Sequence, residues 1–282
     1  MSAEVLSPAA VLGPPHPPIV FLHGGGHTGA CYRATPDGRQ GWADYMAERG
    51  WPVVVADWPG HGRAGKVPDL ARMSGLRVVD AARALLDEIG PAVLLTHSMS
   101  GAVGWKLAEQ APESILALVA VAPSPPGNLQ PWWSWPAYPE EQPIRFTRDE
   151  VRHFTASPHF PAEAFEAYYQ SLVPESARMY NERLNARGLQ LRLERVEVVR
   201  SVPILVVSAD VDPNHPDGAD VRTADYVGAE HLVLAQRGLA GHGHLMMIEH
   251  GNLEIAALIL EWLERRLGQP VRRDKKACSP TS

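Results

Sequence analysis

Short apolar runs alternate along this chain with longer stretches in which apolar residues recur every three or four positions. Pro18–Leu22, Pro52–Ala56, Ala92–Thr96, Ile115–Val121, Pro203–Val207 and His231–Ala235 read as strands, nearly continuous in hydrophobicity, as strands covered on both faces are. Between them, Trp42–Arg49, Met73–Ile89, about Ala102–Gln110 and Leu253–Leu267 carry the spacing of amphipathic helices. Strands alternating with helices predict an α/β fold: a doubly wound, mostly parallel sheet with helices on both faces. Residues 1–17, rich in proline and alanine, read as an extended lead-in. They are too short for a full antiparallel hairpin, so its first hairpin is expected to be shortened or missing.

The rhythm breaks once. Residues 123–200 bring clustered prolines, Trp132, Trp133, Trp135 and Tyr138, and helix-like stretches near Pro161–Ser171 and Glu175–Ala186. This predicts a core of residues 1–122 and 201–268 with a cap inserted at 123–200 over the carboxyl ends of the strands, where open α/β sheets bind ligands. Residues 269–282 read as a disordered basic tail.

The most telling junction is Thr96-His97-Ser98-Met99-Ser100-Gly101, where a strand stops at a serine and small residues open a helix. Such a turn forms a nucleophile elbow, with the serine held in a strained conformation and its flanking positions kept small. Thr96 and Ser100 stand where glycines are usual, and both are small enough. A serine needs a base and a group to orient that base. In this topology the order is serine, acid, histidine. The turn after Pro203–Val207 supplies Asp212, with Asp210 as its rival. The loop after the last strand supplies His244, favoured over His242 because it abuts the apolar anchor Leu245-Met246-Met247. The competing readings are aspartates that only cap the turn and a His242/His244 metal pair; for the latter no third and fourth ligand are evident. His23-Gly24-Gly25-Gly26 suits an oxyanion hole, with the N–H groups of Gly25 and Met99 as donors. It lacks the Lys-Ser/Thr ending of a phosphate-binding loop.

Composition narrows the class. With 282 residues there is room for one large domain, and a net charge of -6 argues against nucleic acid or anionic membrane as partner. Cys31 and Cys278, at opposite ends of the chain, do not read as a disulfide framework, and neither an export signal nor an 18-residue apolar run is evident, so a cytoplasmic protein is expected. Most of the 12 histidines read as loop or surface residues.

The set His23-Gly24-Gly25-Gly26, the Ser98 elbow, Asp212 and His244 resembles the α/β-hydrolase superfamily. The runs His23–Gly29, Thr35–Arg39 with Gly41-Trp42, Gly60–Arg63, Gly243-His244 with Met246-Met247, and Leu258–Leu260 with Trp262 resemble, more narrowly, a small branch of bacterial serine carboxylesterases. That branch has a glutamate after the strand following the elbow helix, where this chain has Val121-Ala122-Pro123, and adjacent cysteines where it has Gly25-Gly26. The acid role therefore moves to Asp212. The resemblance implies hydrolysis of a carboxylic ester or lactone of a small molecule by an acyl-enzyme route with no cofactor and no metal. It covers the core and not the inserted segment, whose Trp132, Trp133, Trp135 and Tyr138 either favour an apolar or aromatic substrate or only pack the cap on the core. Amide or carbon–carbon hydrolysis on the same triad, a non-catalytic binding protein of this fold, and a homodimer stay open.

Overall fold

The computed structural model describes residues 1–7, 16–129, 137–183, 191–215 and 217–268. Its centre is a seven-stranded sheet: β1 (Ser2–Leu6), β2 (Ile19–Leu22), β3 (Val53–Asp57), β4 (Ala92–His97), β5 (Ile115–Val121), β6 (Ile204–Ser208) and β7 (Glu230–Val233), in the order β1-β3-β2-β4-β5-β6-β7. All neighbours are parallel except β1, which runs antiparallel to β3 with Ser2 opposite Asp57 and Leu6 opposite Val53. The lead-in is thus partly a strand. The shortened hairpin survives as one edge strand, whose Glu4 carboxylate meets Arg33 and Arg63 on its outer side.

Alternation along each strand feeds two cores. Ile19 and Phe21 of β2, Val53 and Val55 of β3, and Val93 and Leu95 of β4 face one layer. Val20, Leu22, Val54 and Leu94 face the other. Helices α1 (Trp42–Glu48) and α9 (Asn252–Leu267) cover the first with Trp42, Tyr45, Ile255, Ile259 and Trp262. On the second lie α2 (Gly75–Ile89) and α3 (Ser100–Gln110), through Val78, Leu86, Val103 and Trp105. Each such large side chain taken fully from water stabilises the fold by about 1.5–3 kcal/mol, so both layers are needed to hold the sheet.

After β5 the chain leaves the sheet and returns at β6. Among the described residues the excursion carries the short helices α4 (Arg148–Phe154), α5 (Phe165–Ser171) and α6 (Ala177–Arg183). A single turn, α7 (Val196–Val199), leads back to β6, and α8 (Ala219–Val227) links β6 to β7. The hydrophobic period does not announce α4, but its capping box does: Thr147 accepts from the Glu150 N–H while Glu150 reaches back to the Thr147 N–H. Among the described residues no helix is long and apolar enough to cross a membrane. The expected tail at 269–282 lies outside the described residues.

Candidate active site

Ser98 sits between β4 and α3 with φ 51, a left-handed conformation that a non-glycine residue adopts at a cost of about 1–3 kcal/mol. The surroundings hold it there. Its N–H donates to Val121 O (3.0 Å), and its carbonyl accepts from Gly101 N–H (2.9 Å) and Ser124 N–H (2.8 Å). The two departures from glycine are accommodated locally. Ser100 Oγ accepts from the His97 N–H and lies 2.8 Å from Leu22 O, tying the turn to the neighbouring strand and starting α3 two residues earlier than its periodicity suggests. Thr96 fits because Gly104 faces it, where a Cβ would come 3.0 Å from Thr96 Cγ2.

The structure brings Ser98, His244 and Asp212 together. Ser98 Oγ donates to His244 Nε2 (2.8 Å), and His244 Nδ1 donates to Asp212 Oδ2 (2.8 Å). Asp212 Oδ1 accepts from the Asn214 N–H (2.8 Å). Burial alone would raise the Asp212 pKa, but His244, His215 and these hydrogen bonds outweigh it and hold the carboxyl far below the usual range. The rivals lie elsewhere. Asp210 is the acceptor for the Gly241 N–H (2.9 and 3.1 Å) and so ties down the loop that delivers His244. His242 pairs with Glu249 (2.9 Å). The anchor Leu245-Met246-Met247 is buried.

Most histidines lie in loops, as expected, but half of the twelve are not surface residues. His23, His27, His61, His97, His242 and His244 are buried. A neutral imidazole can be buried when it is hydrogen-bonded, a long-range pairing that a periodicity argument does not see. Burial drives His97 and His23 well below their ordinary pKa and His27 to about 4. His97 Nε2 therefore donates to His244 O (2.9 Å), fixing the backbone at His244. Gly24 is required beside it, because a Cβ there would come 2.7 Å from His97 Nδ1.

His215 is another addition. Its Nδ1 lies 2.9 Å from Asp220 Oδ1 and 3.8 Å from Asp212 Oδ2, and although burial opposes the charge, the two carboxylates raise it to about 9. Asp212, His215 and His244 also bring ligand atoms within 4.8 Å of one another, a third candidate metal ligand that the sequence did not make evident. A cation there would have to take His244 from Ser98 or from Asp212, and His215 from Asp220.

A cavity of about 640 Å³ opens above Ser98 and His244. Gly25, His27 and His97 form its floor, while Tyr138, Phe146, Phe154, Tyr168, Leu172, Tyr180 and Arg183 come from the 123–200 excursion. Arg183 lies over the Tyr180 ring and donates to Ser124 Oγ (3.2 Å). Met99, the other expected donor, caps the N-terminus of α3, where helical N–H groups lack an internal acceptor. Tyr138 is in the wall as expected. Trp132, Trp133 and Trp135 lie outside the described residues.

A family model described as the alpha/beta hydrolase family matches residues 19–258. The chain is 26% identical over 312 aligned residues to the "Probable secreted lipase phiG" of a fungal species (strain ATCC 74256), covering 88% of this chain and 82% of that protein. It superposes on a thermophilic esterase from Thermogutta terrifontis with TM-score 0.67 at 17% identity, over 94% of this chain and 93% of that one. For the N-acyl homoserine lactonase AidH the TM-score is 0.64 at 19% identity, over 95% and 93% of the two chains. Both structural likenesses are likenesses of fold.

Proposed function

This chain belongs to the alpha/beta hydrolase family, and from that premise we propose that it is a serine hydrolase cleaving a carboxylic ester or lactone through an acyl-enzyme. The observation that carries the proposal is the hydrogen-bonded chain Ser98–His244–Asp212, whose Ser98 and His244 line a cavity. A serine hydroxyl becomes a nucleophile when a neutral imidazole can take its proton as attack begins, and the carboxylate then stabilises the imidazolium. In the proposed cycle Ser98 Oγ attacks the substrate carbonyl while His244 Nε2 accepts the proton. The Gly25 and Met99 N–H groups receive the developing oxyanion, a contribution of about 3–4 kcal/mol per donor in comparable sites. His244 then passes its proton to the departing alkoxide, which in a lactone stays tethered as the free hydroxyl of the acyl group. Water, deprotonated by the same imidazole, releases the acid and restores Ser98. The reaction as written needs no cofactor.

The excursion at 123–200 acts in this reading as a cap. Its Tyr138, Phe146, Phe154, Tyr168 and Tyr180 present an aromatic wall, which suits an apolar or aromatic acyl or alcohol group. A cytoplasmic location belongs to the same proposal, and cell fractionation tests it. The function is tested by hydrolysis of p-nitrophenyl esters and lactones together with fluorophosphonate labelling. Activity and labelling in the wild type, both lost in a folded Ser98→Ala variant, support it. A wild type that neither turns over nor labels returns the chain to the ligand-binding reading.

A further inference from the structure

The three glycines after β2 are held from above. Glu175, on the excursion between α5 and α6, is fully buried. One of its oxygens, Oε2, accepts from the Gly26 N–H (3.0 Å) and lies 3.2 Å from His61 Nε2; the other accepts from the Ser176 N–H (2.7 Å). Its backbone bridges to Ile144 in both directions (2.8 and 2.9 Å), so the carboxylate is mounted on a braced segment. Two residues earlier, the Val173 N–H donates to Gly26 O (2.8 Å). Gly25 O accepts from His27 Nδ1 (2.8 Å), whose Nε2 in turn accepts from the Tyr168 hydroxyl on α5 (2.9 Å). Gly24 O accepts from His23 Nδ1 (2.9 Å). Among the described residues, every carbonyl of the loop and the Gly26 N–H are therefore engaged, while the Gly25 N–H donates to no protein acceptor.

We propose that Glu175 is a positioning residue for the oxyanion hole: with Val173 and the Tyr168–His27 pair, it makes the cap a structural part of that hole by holding the Gly24–Gly26 loop so that the Gly25 N–H meets the substrate oxygen. The inference rests on the serine-hydrolase reading above. Its physical basis is pre-organisation. A glycine run has the widest backbone freedom of any sequence, and a donor stabilises a transition state only if it need not reorganise when charge develops. Here the loop's freedom is removed by groups more than a hundred residues away in sequence. His61 reinforces the arrangement: its Nε2 lies 3.2 Å from Glu175 Oε2, and although burial opposes it, Glu175 together with the Pro59 carbonyl and Asp57 raises its pKa.

The test compares Glu175→Gln, Tyr168→Phe and, as a control, Glu182→Gln. The Glu175 oxygens serve two backbone donors, and an amide offers one oxygen, so one donor must face an NH₂ group. Glu182 is also a buried carboxylate of the excursion, but it accepts from the Gly75 N–H (2.7 Å) at the start of α2. The readouts are kcat and KM on a p-nitrophenyl ester, the inhibition constant of an alkyl boronic acid that forms a tetrahedral adduct with the serine, and Tm. Expected for Glu175→Gln is a kcat lower by roughly 10–100-fold, with boronate affinity falling in parallel and KM within about twofold. Tyr168→Phe shows the same signature at about 3–10-fold, and Glu182→Gln lowers Tm only. If Glu175→Gln keeps wild-type kcat and boronate affinity, whatever its Tm, the inference is wrong. Should that variant not fold, wild-type values in Tyr168→Phe overturn it instead. A wild type without turnover or labelling brings down the function itself, a distinct failure that takes this inference with it.

Discussion

Replacing Asp212 by asparagine changes one atom type and, by the geometry of the site, reverses a tautomer. In the native site Oδ1 accepts from the Asn214 N–H and Oδ2 from His244 Nδ1, both at 2.8 Å. Asparagine has one oxygen for these two donors. If that oxygen stays on Asn214, the NH₂ faces His244 Nδ1, the ring proton moves to Nε2, and His244 donates to Ser98 when it should accept. If the oxygen turns to His244, the NH₂ meets the Asn214 N–H, leaving a buried donor unmet at a cost of about 1–3 kcal/mol. The lost charge adds to this. A carboxylate near an imidazolium at ~4 Å and an effective dielectric of ~20 is worth about 4 kcal/mol. Together the two effects come to about 5–7 kcal/mol, or a kcat lower by roughly 10⁴–10⁵-fold. The assay is steady-state hydrolysis of a p-nitrophenyl ester between pH 6 and 9, with circular dichroism to establish folding. A folded Asp212→Asn variant whose kcat stays within tenfold of the wild type would refute the assignment of Asp212 as the orienting acid.

The rival aspartate supplies the complement: Asp210→Asn still accepts from the Gly241 N–H and is expected to change kcat by less than about threefold, whereas Asp210→Ala loses about 1 kcal/mol of stability, read as a lower urea midpoint. Stability should also depend on pH in two windows. His27, buried and held at about 4, favours the fold above pH 6.5, and that contribution of about 3 kcal/mol is lost as pH falls from 6.5 towards 4. His215, raised to about 9 between Asp212 and Asp220, contributes fully below pH 6.5, and its similar ~3 kcal/mol is lost as pH rises through 9. Scanning calorimetry from pH 4 to 10 should therefore give a Tm maximum near 6.5, and His215→Gln should flatten the alkaline limb. An unchanged limb in that variant rules His215 out as its cause.

What was legible in the sequence was whatever local pattern encodes. Apolar runs marked the parallel strands: β2 to β6, buried on both faces along nearly their whole length, cannot hide their hydrophobicity, and the edge strand β7 kept enough of it to be read. The Ser98 elbow, the Asp212 turn and the His244 loop were legible because each follows a strand in a fixed chain order. The β1 strand was missed because an edge strand with one wet face is short and weakly apolar; its burial alternates between half-buried and exposed. The α4 helix was signalled only by its capping box.

Only the tertiary structure could show that Asp212, not Asp210, meets His244, and that His244, not His242, meets Ser98. The members of each pair sit two residues apart and share one chemistry, so the choice lies in which side chain the loop turns towards Ser98. It alone exposed the buried histidines around the site, His215 between two aspartates, and Glu175 on Gly26. Those partners are separated by up to 149 residues, and no period or motif spans such a gap. The sequence alone determined which segments form sheet and helix and in what order the reactive residues arrive. Tertiary packing determined which polar groups face one another out of water, where each pairing is strongest and an unmet partner most costly.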